Sequence, residues 1–359
     1  DLRSGVRLPE RDAPNGDGVR VARWNVDLWS SLERTDLTSN CVRVRASHAA
    51  SAAADVHAHP GVVTGRRESH ASVGEAMWVM HRADIYSLAT ELLASHKDGA
   101  VLAPPSERFR DFSLTDSYSV ASEITRRRMR RGERVIGRKI GFSNKMIWSK
   151  VGLDSPIWAP IYGRTVHFTD DQPVALSLAR MVAPRIEVEI VFKLRATPAR
   201  EMEDGSTVLQ AVEWLALGLE VVDCHYPEWK FNPADAVADF GLHAALIVGI
   251  PRRVSPTRVT RLATQLRDFQ VSLLRNGDLA ETGAGRNVLG SPAVALGYLM
   301  NLIDQDTRAG PLMAGELIST GTLTSLRNIA FDETWMAVAS GLDVPAVAAT
   351  FVTSSVTEE

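Results

Sequence analysis

The sequence predicts an α+β protein, a small helical region over residues 77–132 followed by a β-rich domain over residues 133–359. Three observations predict it. Ile85, Leu88, Ala89, Leu92 and Leu93 recur at helical spacing and stop before Gly99. Ile186-Glu-Val-Glu-Ile-Val-Phe192 alternates strictly between apolar and acidic or apolar positions, as a strand does. The apolar runs Leu215–Val222 and Ala244–Ile250 are short and uninterrupted, as buried strands are.

Residues 1–76 differ in kind. They contain no Lys, Ile, Phe, Tyr, Met or Gln, and are rich in Arg, Ala, Ser, Asp and His. Apart from Trp24, Val26, Leu28, Trp29 and Leu32 they offer little with which to build a core. Such composition does not repay the entropy of ordering. The segment is expected to be disordered, or an upstream reading-frame extension with starts at Met77 or Met80. A targeting tail is the alternative, against which stand ten acidic residues among the 76.

After the first helix, Pro104-Pro105 breaks the chain. Thr115-Asp116 reads as the N-cap of a second helix carrying Tyr118, Ala121, Ile124 and Met129. Its end is strongly basic, with Arg126, Arg127, Arg128, Arg130 and Arg131, and is expected to be a solvated face suited to the helix dipole. Beyond Gly132, Arg134–Ile140 and Gly315–Ser319 read as further strands. Helical patterns lie at Val208–Trp214, Pro256–Gln270 and Pro292–Ile303. There is no internal repeat.

The whole chain has 359 residues, 45% of them hydrophobic and 23% charged, with a net charge of −3. Electrostatic attraction of the whole protein to nucleic acid or to an anionic membrane is therefore not expected. Two cysteines, Cys41 and Cys224, rule out a disulfide scaffold and a cysteine zinc site and suit a reducing cytoplasm. The apolar runs are too short to cross a bilayer.

The chemistry begins with Glu187 and Glu189, two positions apart on one strand and so on one face, opposite Ile186, Val188, Ile190 and Phe192. Neighbouring carboxylates repel unless water or a cation relieves them. A solvated strand face would satisfy the pair alone. Glu220 argues otherwise, because it sits inside Leu215-Ala-Leu-Gly-Leu-Glu-Val-Val222, where an unpaired carboxylate would be costly. Three oxygen ligands favour Mg²⁺ or Mn²⁺ over zinc. Lys139, just before Gly141, could polarise a carbonyl or move a proton if its pKa were lowered, or could simply be an exposed strand lysine.

In this order the segments resemble the fumarylacetoacetate hydrolase superfamily, and within it the 2-keto-4-pentenoate hydratase and 4-oxalocrotonate decarboxylase branch. The matching stretches are Val135–Ser143, Pro184–Ile190, Leu219–Asp223, Trp229-Lys230 with Ala238-Asp239, Gly283–Gly285 with Val288–Gly290, and Ala314–Thr324. They span roughly Met77 to Val352. The resemblance implies a mixed β-roll preceded by a small helical region. It also implies one divalent ion, Mg²⁺ or Mn²⁺, on Glu187, Glu189 and Glu220, with Lys139 as the active-site lysine. Ser143 and Thr322 match substrate-contacting positions. Three positions depart from the branch: Ile157 where many hydratases carry an acid, His225 where an Arg is common, and Phe240 where an Asn is usual.

What the resemblance implies for function is a hydratase that adds water to a 2-hydroxy-2,4-dienoate, giving a 4-hydroxy-2-oxo acid in the catabolism of aromatic compounds. Decarboxylation of a 2-oxo-3-hexenedioate and hydrolysis of a carbon–carbon bond are the alternatives. A non-enzymatic assembly module would require a damaged acid set, and all three acids are present. His225 is the candidate base, or else a structural histidine joining Asp223 to the pocket wall. The expected partner is a small 2-oxo or 2-hydroxydienoic acid, with no nucleic acid and no membrane, and the protein is expected to be a cytoplasmic homo-oligomer.

Overall fold

The computed structural model describes residues 80–353 apart from 171, 200–204 and 307. The expectations for residues 1–76 and for a start at Met77 lie outside them. Helix α1, Arg82–Asp98, buries Leu88, Ala89 and Leu92. It ends at Gly99, whose φ of 63° is the left-handed conformation glycine adopts without penalty. A side chain there would also meet the Arg180 carbonyl oxygen at 2.8 Å.

Helix α2, Leu114–Arg130, begins earlier than the sequence suggested. Its N-cap is Ser113, not Thr115-Asp116. Ser113 Oγ accepts from the Asp116 N–H at 3.2 Å, and Asp116 Oδ2 accepts from the Ser113 N–H at 3.1 Å. Asp116 is thus the third-residue member of a reciprocal cap. Ser113→Ala should cost about 1 kcal/mol, which lowers Tm by roughly 2–4 °C. An unchanged melting curve would mean that the cap contributes nothing. Val120 and Ile124 pack on Leu88 and Leu92, whereas Met129 is exposed. The basic end is not simply solvated. Arg126 and Arg127 converge on Glu123 at 2.6 and 2.5 Å, Arg128 pairs with Glu133 at 2.6 Å, and Arg128 also lies 3.6 Å over the Tyr162 ring.

The strands are β1 Val135–Gly141, β2 Ile157–Tyr162, β3 Val166–Phe168, β4 Val174–Ser177, β5 Arg185–Leu194, β6 Val212–Val222 and β7 His243–Val248. After them come β8 Arg252–Arg253, β9 Gln270–Arg275, β10 Asp278–Ala284, β11 Leu317–Ser319, β12 Arg327–Asn328, β13 Thr334–Ser340 and β14 Val347–Val352. Helices α3 Pro233–Ala238, α4 Val259–Asp268 and α5 Pro292–Gln305 lie between them. The larger sheet runs β2-β1-β11-β5-β6-β7-β3, with β12 beside β5 and β8 beside β6. The smaller runs β10-β9-β13-β14-β4. Both mix parallel and antiparallel pairs: β1–β11, β3–β7 and β4–β14 are parallel and the remaining pairs antiparallel.

Ile186, Val188, Ile190 and Phe192 of β5 share one apolar cluster with Val271, Leu273, Trp335, Val347 and Phe351 of the smaller sheet, so the main core lies between the sheets. Val191, on the other face of β5, belongs to a separate cluster with Ile161, Ala216, Leu246, Val248 and Leu317. Glu187 and Glu189 share that second face by strand parity. The helix expected at Val208–Trp214 is corrected. Only Val208–Ala211 is helical, as a single 3-10 turn, and Val212 enters β6 opposite Leu194. The pattern Val-Leu-Gln-Ala-Val-Glu-Trp fits either period, and the open edge of β5 decides it. Likewise Gln270 opens β9 rather than closing α4.

Candidate metal centre

Five adjacent strands each place a polar side chain on one face of the larger sheet. These are Lys139 on β1, Ser319 on β11, Glu187 and Glu189 on β5, Glu220 on β6 and His243 on β7. Register explains the alignment: Lys139 lies opposite Ser319, Ser319 opposite Val191, and Glu187 directly opposite Glu220. Lys139 and Glu220 are three strand spacings apart, about 14 Å across a flat sheet. Yet Lys139 Nζ lies 2.9 Å from Glu220 Oε1. The sheet therefore curls, with these residues on its concave face.

All are buried; among the acids Glu189 and Glu220 have no exposed surface and Glu187 keeps a little. Carboxylate oxygens of Glu187, Glu189 and Glu220 lie within 4.8 Å of one another. Each of the two innermost acids has one oxygen saturated and one bare. Glu189 Oε2 accepts from Ser319 Oγ and from the Gly321 N–H at 2.9 Å, while Oε1 has no partner. Glu220 Oε1 accepts from Lys139 and from His243 Nδ1 at 2.8 Å, while Oε2 has no partner. Buried bare oxygens are costly unless something fills the space between them. A hard divalent cation fits this donor set of carboxylate oxygens, and the acids present are suited to holding one.

Electrostatics agrees. Burial raises Glu187 to about 7, with Lys139 opposing and Glu220 adding to the rise. Burial, with Glu220 and Glu187 beside it, lifts Glu189 well above the carboxylate range. Burial opposes ionisation of Glu220 too, but Lys139 and His243 outweigh it and lower Glu220 to about 2. Without a cation the cluster relieves its repulsion by taking up protons. Magnesium affinity should therefore fall as pH drops below about 7, because the ion must displace protons from Glu187 and Glu189. One displaced proton is worth roughly tenfold in affinity per pH unit. Calorimetry at pH 6 and pH 8, in buffers of different ionisation enthalpy, measures this; pH-independent binding would contradict it.

Lys139 is not the exposed strand lysine of the alternative reading. Burial alone would depress its ammonium, but Glu220, Glu187 and Glu189 together outweigh burial and raise its pKa. It stands as a cation, so the lowered pKa that a resting base would need is not present. Ser143 is buried against Gly321, where a side-chain carbon would come within 2.4 Å of Ser143 Oγ. The φ of +102° at Gly321 aims its N–H at Glu189, so only glycine serves both demands. Thr322 Oγ1 is occupied within its own turn, donating to the Thr324 carbonyl at 2.9 Å and accepting from the Thr324 N–H at 3.3 Å.

His225 belongs to a second group. Its Nδ1 meets Asp239 Oδ2 at 3.1 Å and its Nε2 lies 3.8 Å from Asp223 Oδ2. His96 of α1 meets the other Asp239 oxygen at 3.0 Å, and the two imidazoles lie 4.2 Å apart, tilted by 36°. Phe240, at φ 58°, packs 3.8 Å from His96. Burial opposes ionisation of Asp239, but hydrogen bonds from His225 and His96 lower it to about 2. This geometry suits the structural role of His225. The imidazole that reaches the acid triad is His243, which residue reasoning missed. Ser319 and Gly321 lie within the stretch Ala314–Thr324 that resembles the family.

No protein-family model matches the chain. Individual relatives do, over about two thirds of the chain. A 2-keto-4-pentenoate hydratase of Paraburkholderia xenovorans is 31% identical over 236 residues, 66% of this chain and 83% of the relative. A 4-oxalocrotonate decarboxylase of a Pseudomonas species is 29% identical over 246 residues, 68% of this chain and 88% of the relative. Among solved structures, the 4-oxalocrotonate decarboxylase from Pseudomonas putida G7, complexed with magnesium and adipate, superposes with a TM-score of 0.69 at 26% identity. It covers 76% of this chain and 99% of that one. The acid triad, the lysine beside it and these relatives together mean that the chain belongs to the 2-keto-4-pentenoate hydratase and 4-oxalocrotonate decarboxylase family, the branch of the fumarylacetoacetate hydrolase superfamily that its motifs resemble.

Proposed function

We propose that the protein is a divalent-metal-dependent hydro-lyase that adds water to a 2-hydroxy-2,4-dienoate to give a 4-hydroxy-2-oxo acid in aromatic catabolism. The observation that carries this is the buried acid triad with bare oxygens on Glu189 and Glu220, in a chain 31% identical to a 2-keto-4-pentenoate hydratase. Glu187, Glu189 and Glu220 would hold Mg²⁺ or Mn²⁺. When bound, the ion supplies Lewis-acid stabilisation of negative charge on a 2-oxo oxygen and its neighbouring carboxylate. The ammonium of Lys139, fixed on Glu220 at 2.9 Å, is placed to donate a hydrogen bond to a substrate oxygen as charge grows there. Ser143 would contact the substrate beside the Gly321 turn that donates to Glu189. Thr322, its hydroxyl committed to its own turn, would shape the wall.

Ile157 favours a second reading. It is buried at the start of β2, opposite Gly141, where many hydratases of the branch carry an acid. Loss of that acid suits a decarboxylase, in which a distal carboxylate departs as CO₂ and no water need be activated. The test is an assay of the purified protein with Mg²⁺ on a 2-hydroxy-2,4-dienoate and on a 2-oxo-3-hexenedioate. Loss of dienoate absorbance without CO₂ supports the hydratase, CO₂ release the decarboxylase, and turnover of neither overturns both. The proposal includes a cytoplasmic setting, in keeping with two cysteines in 359 residues. It also includes self-association, for which exposed Phe168, Leu279 and Phe331 offer apolar surface and which light scattering measures.

A further inference from the structure

We propose that His243 is a positioning residue that turns Glu220 so that its Oε2 faces the ion. The proposal rests on the metal-centre reading above and extends it to a residue outside the acid triad.

The placement of His243 comes from a bulge. Along β6 and β7, Glu220 lies opposite Leu246 and Val221 opposite Ala245, but Val222 lies opposite His243. Ala244 is therefore an extra residue on β7. In an unbroken strand His243 would share the face of Ala245 and Ile247, which belong to the main core. The bulge carries it to the other face, that of Leu246 and Glu220. Bulges re-aim side chains in this way.

Once there, His243 is held at both ring nitrogens. Nδ1 lies 2.8 Å from Glu220 Oε1 and Nε2 lies 2.8 Å from Thr165 Oγ1. The ionised carboxylate of Glu220 can only accept, so Nδ1 carries the proton. With Lys139 Nζ on the same oxygen at 2.9 Å, Oε1 has two donors and Oε2 has none. The two donors fix the torsion of a carboxylate that would otherwise rotate, and they leave one oxygen for coordination. Lys139 alone would not fix that torsion, since its flexible stem can follow either oxygen. The rigid ring, pinned at Thr165, cannot. Partners of this kind orient metal ligands and are typically worth about 10–100-fold in metal affinity.

The test is calorimetry of Mg²⁺ alone binding to the full chain, for wild type and for His243→Ala, His243→Asn and His243→Gln. Asn places an amide N–H where Nδ1 was; Gln places its amide nearer Nε2. Wild type should bind, His243→Ala should bind about 10–100-fold more weakly, and His243→Asn should stay within a few-fold of wild type. At saturating Mg²⁺ the kcat of His243→Ala should recover largely, with the deficit confined to the metal concentration required. Affinity of His243→Ala within twofold of wild type would overturn the proposal. If His243→Ala does not fold, His243→Asn binding no better than His243→Gln would do so. Failure of wild type itself to bind Mg²⁺ would be a different result, removing the metal-centre reading.

Discussion

Glu189→Gln is expected to abolish magnesium binding and turnover together while the fold survives. The remaining oxygen of the amide still accepts from Ser319 and Gly321, which hold Glu189 Oε2 in the native protein. The new NH₂ then stands where the bare Oε1 faces Glu187 and Glu220, a permanently neutral donor where the metal-free acid must take up a proton. Metal-free melting temperature should thus be unchanged or higher than that of wild type. Lewis-acid stabilisation is worth several kcal/mol, so the loss of turnover should be roughly 10³-fold or more. A thermal shift separates the two effects: Mg²⁺ at 100 times its Kd adds about 2.7 kcal/mol to a protein that binds it. Wild type should shift and the variant should not. A variant that still shifts with Mg²⁺ would take Glu189 out of the ligand set.

Lys139→Met should leave the ligands in place and remove the chemistry. Contributions from a positioned proton donor are typically ~10²–10⁴-fold, and kcat should fall by that order. Lys139→Arg should not restore it, because the guanidinium is broader and stays protonated. The structure adds a consequence for stability. Lys139 pairs with Glu220 where both are buried, and breaking such a pair costs about 3–5 kcal/mol. Metal-free Lys139→Met should therefore melt well below wild type, and Mg²⁺ narrows that gap only by as much as it binds the variant more tightly. Magnesium affinity should be unchanged or slightly higher. If kcat persists and only binding collapses, Lys139 supports the carboxylates and takes no part in the reaction.

Some of the missed features were legible. Asn276-Gly277 separates β9 from β10, with φ values of 52° and 92° that suit a two-residue hairpin turn. That dipeptide is a hairpin signal in any sequence. Ser113 with Asp116 three residues on is likewise a cap pattern that stands in the sequence beside Thr115-Asp116.

What the sequence alone determined was whatever depends on short-range periodicity. Strand parity set Glu187 and Glu189 on one face with Ile186, Val188, Ile190 and Phe192 on the other, and the core cluster contains those four. The apolar surroundings of Glu220 marked it as buried, and its neighbours in space confirm that it has no exposed surface. Only the tertiary structure decided which donors meet which oxygens. Cross-strand register places Glu187 against Glu220, and a single bulge at Ala244 brings His243 to Glu220. Neither register nor a bulge leaves a mark in the local pattern of residues. The charge of Lys139 is likewise collective: burial pulls its pKa down, and three carboxylates from two other strands push it back up. His225 meets one oxygen of Asp239 while His96, some 130 positions before His225 in the chain, meets the other. Chemistry at this site is set by charges and hydrogen bonds between strands distant in sequence, and folding the sheet into a curl is what brings them within reach.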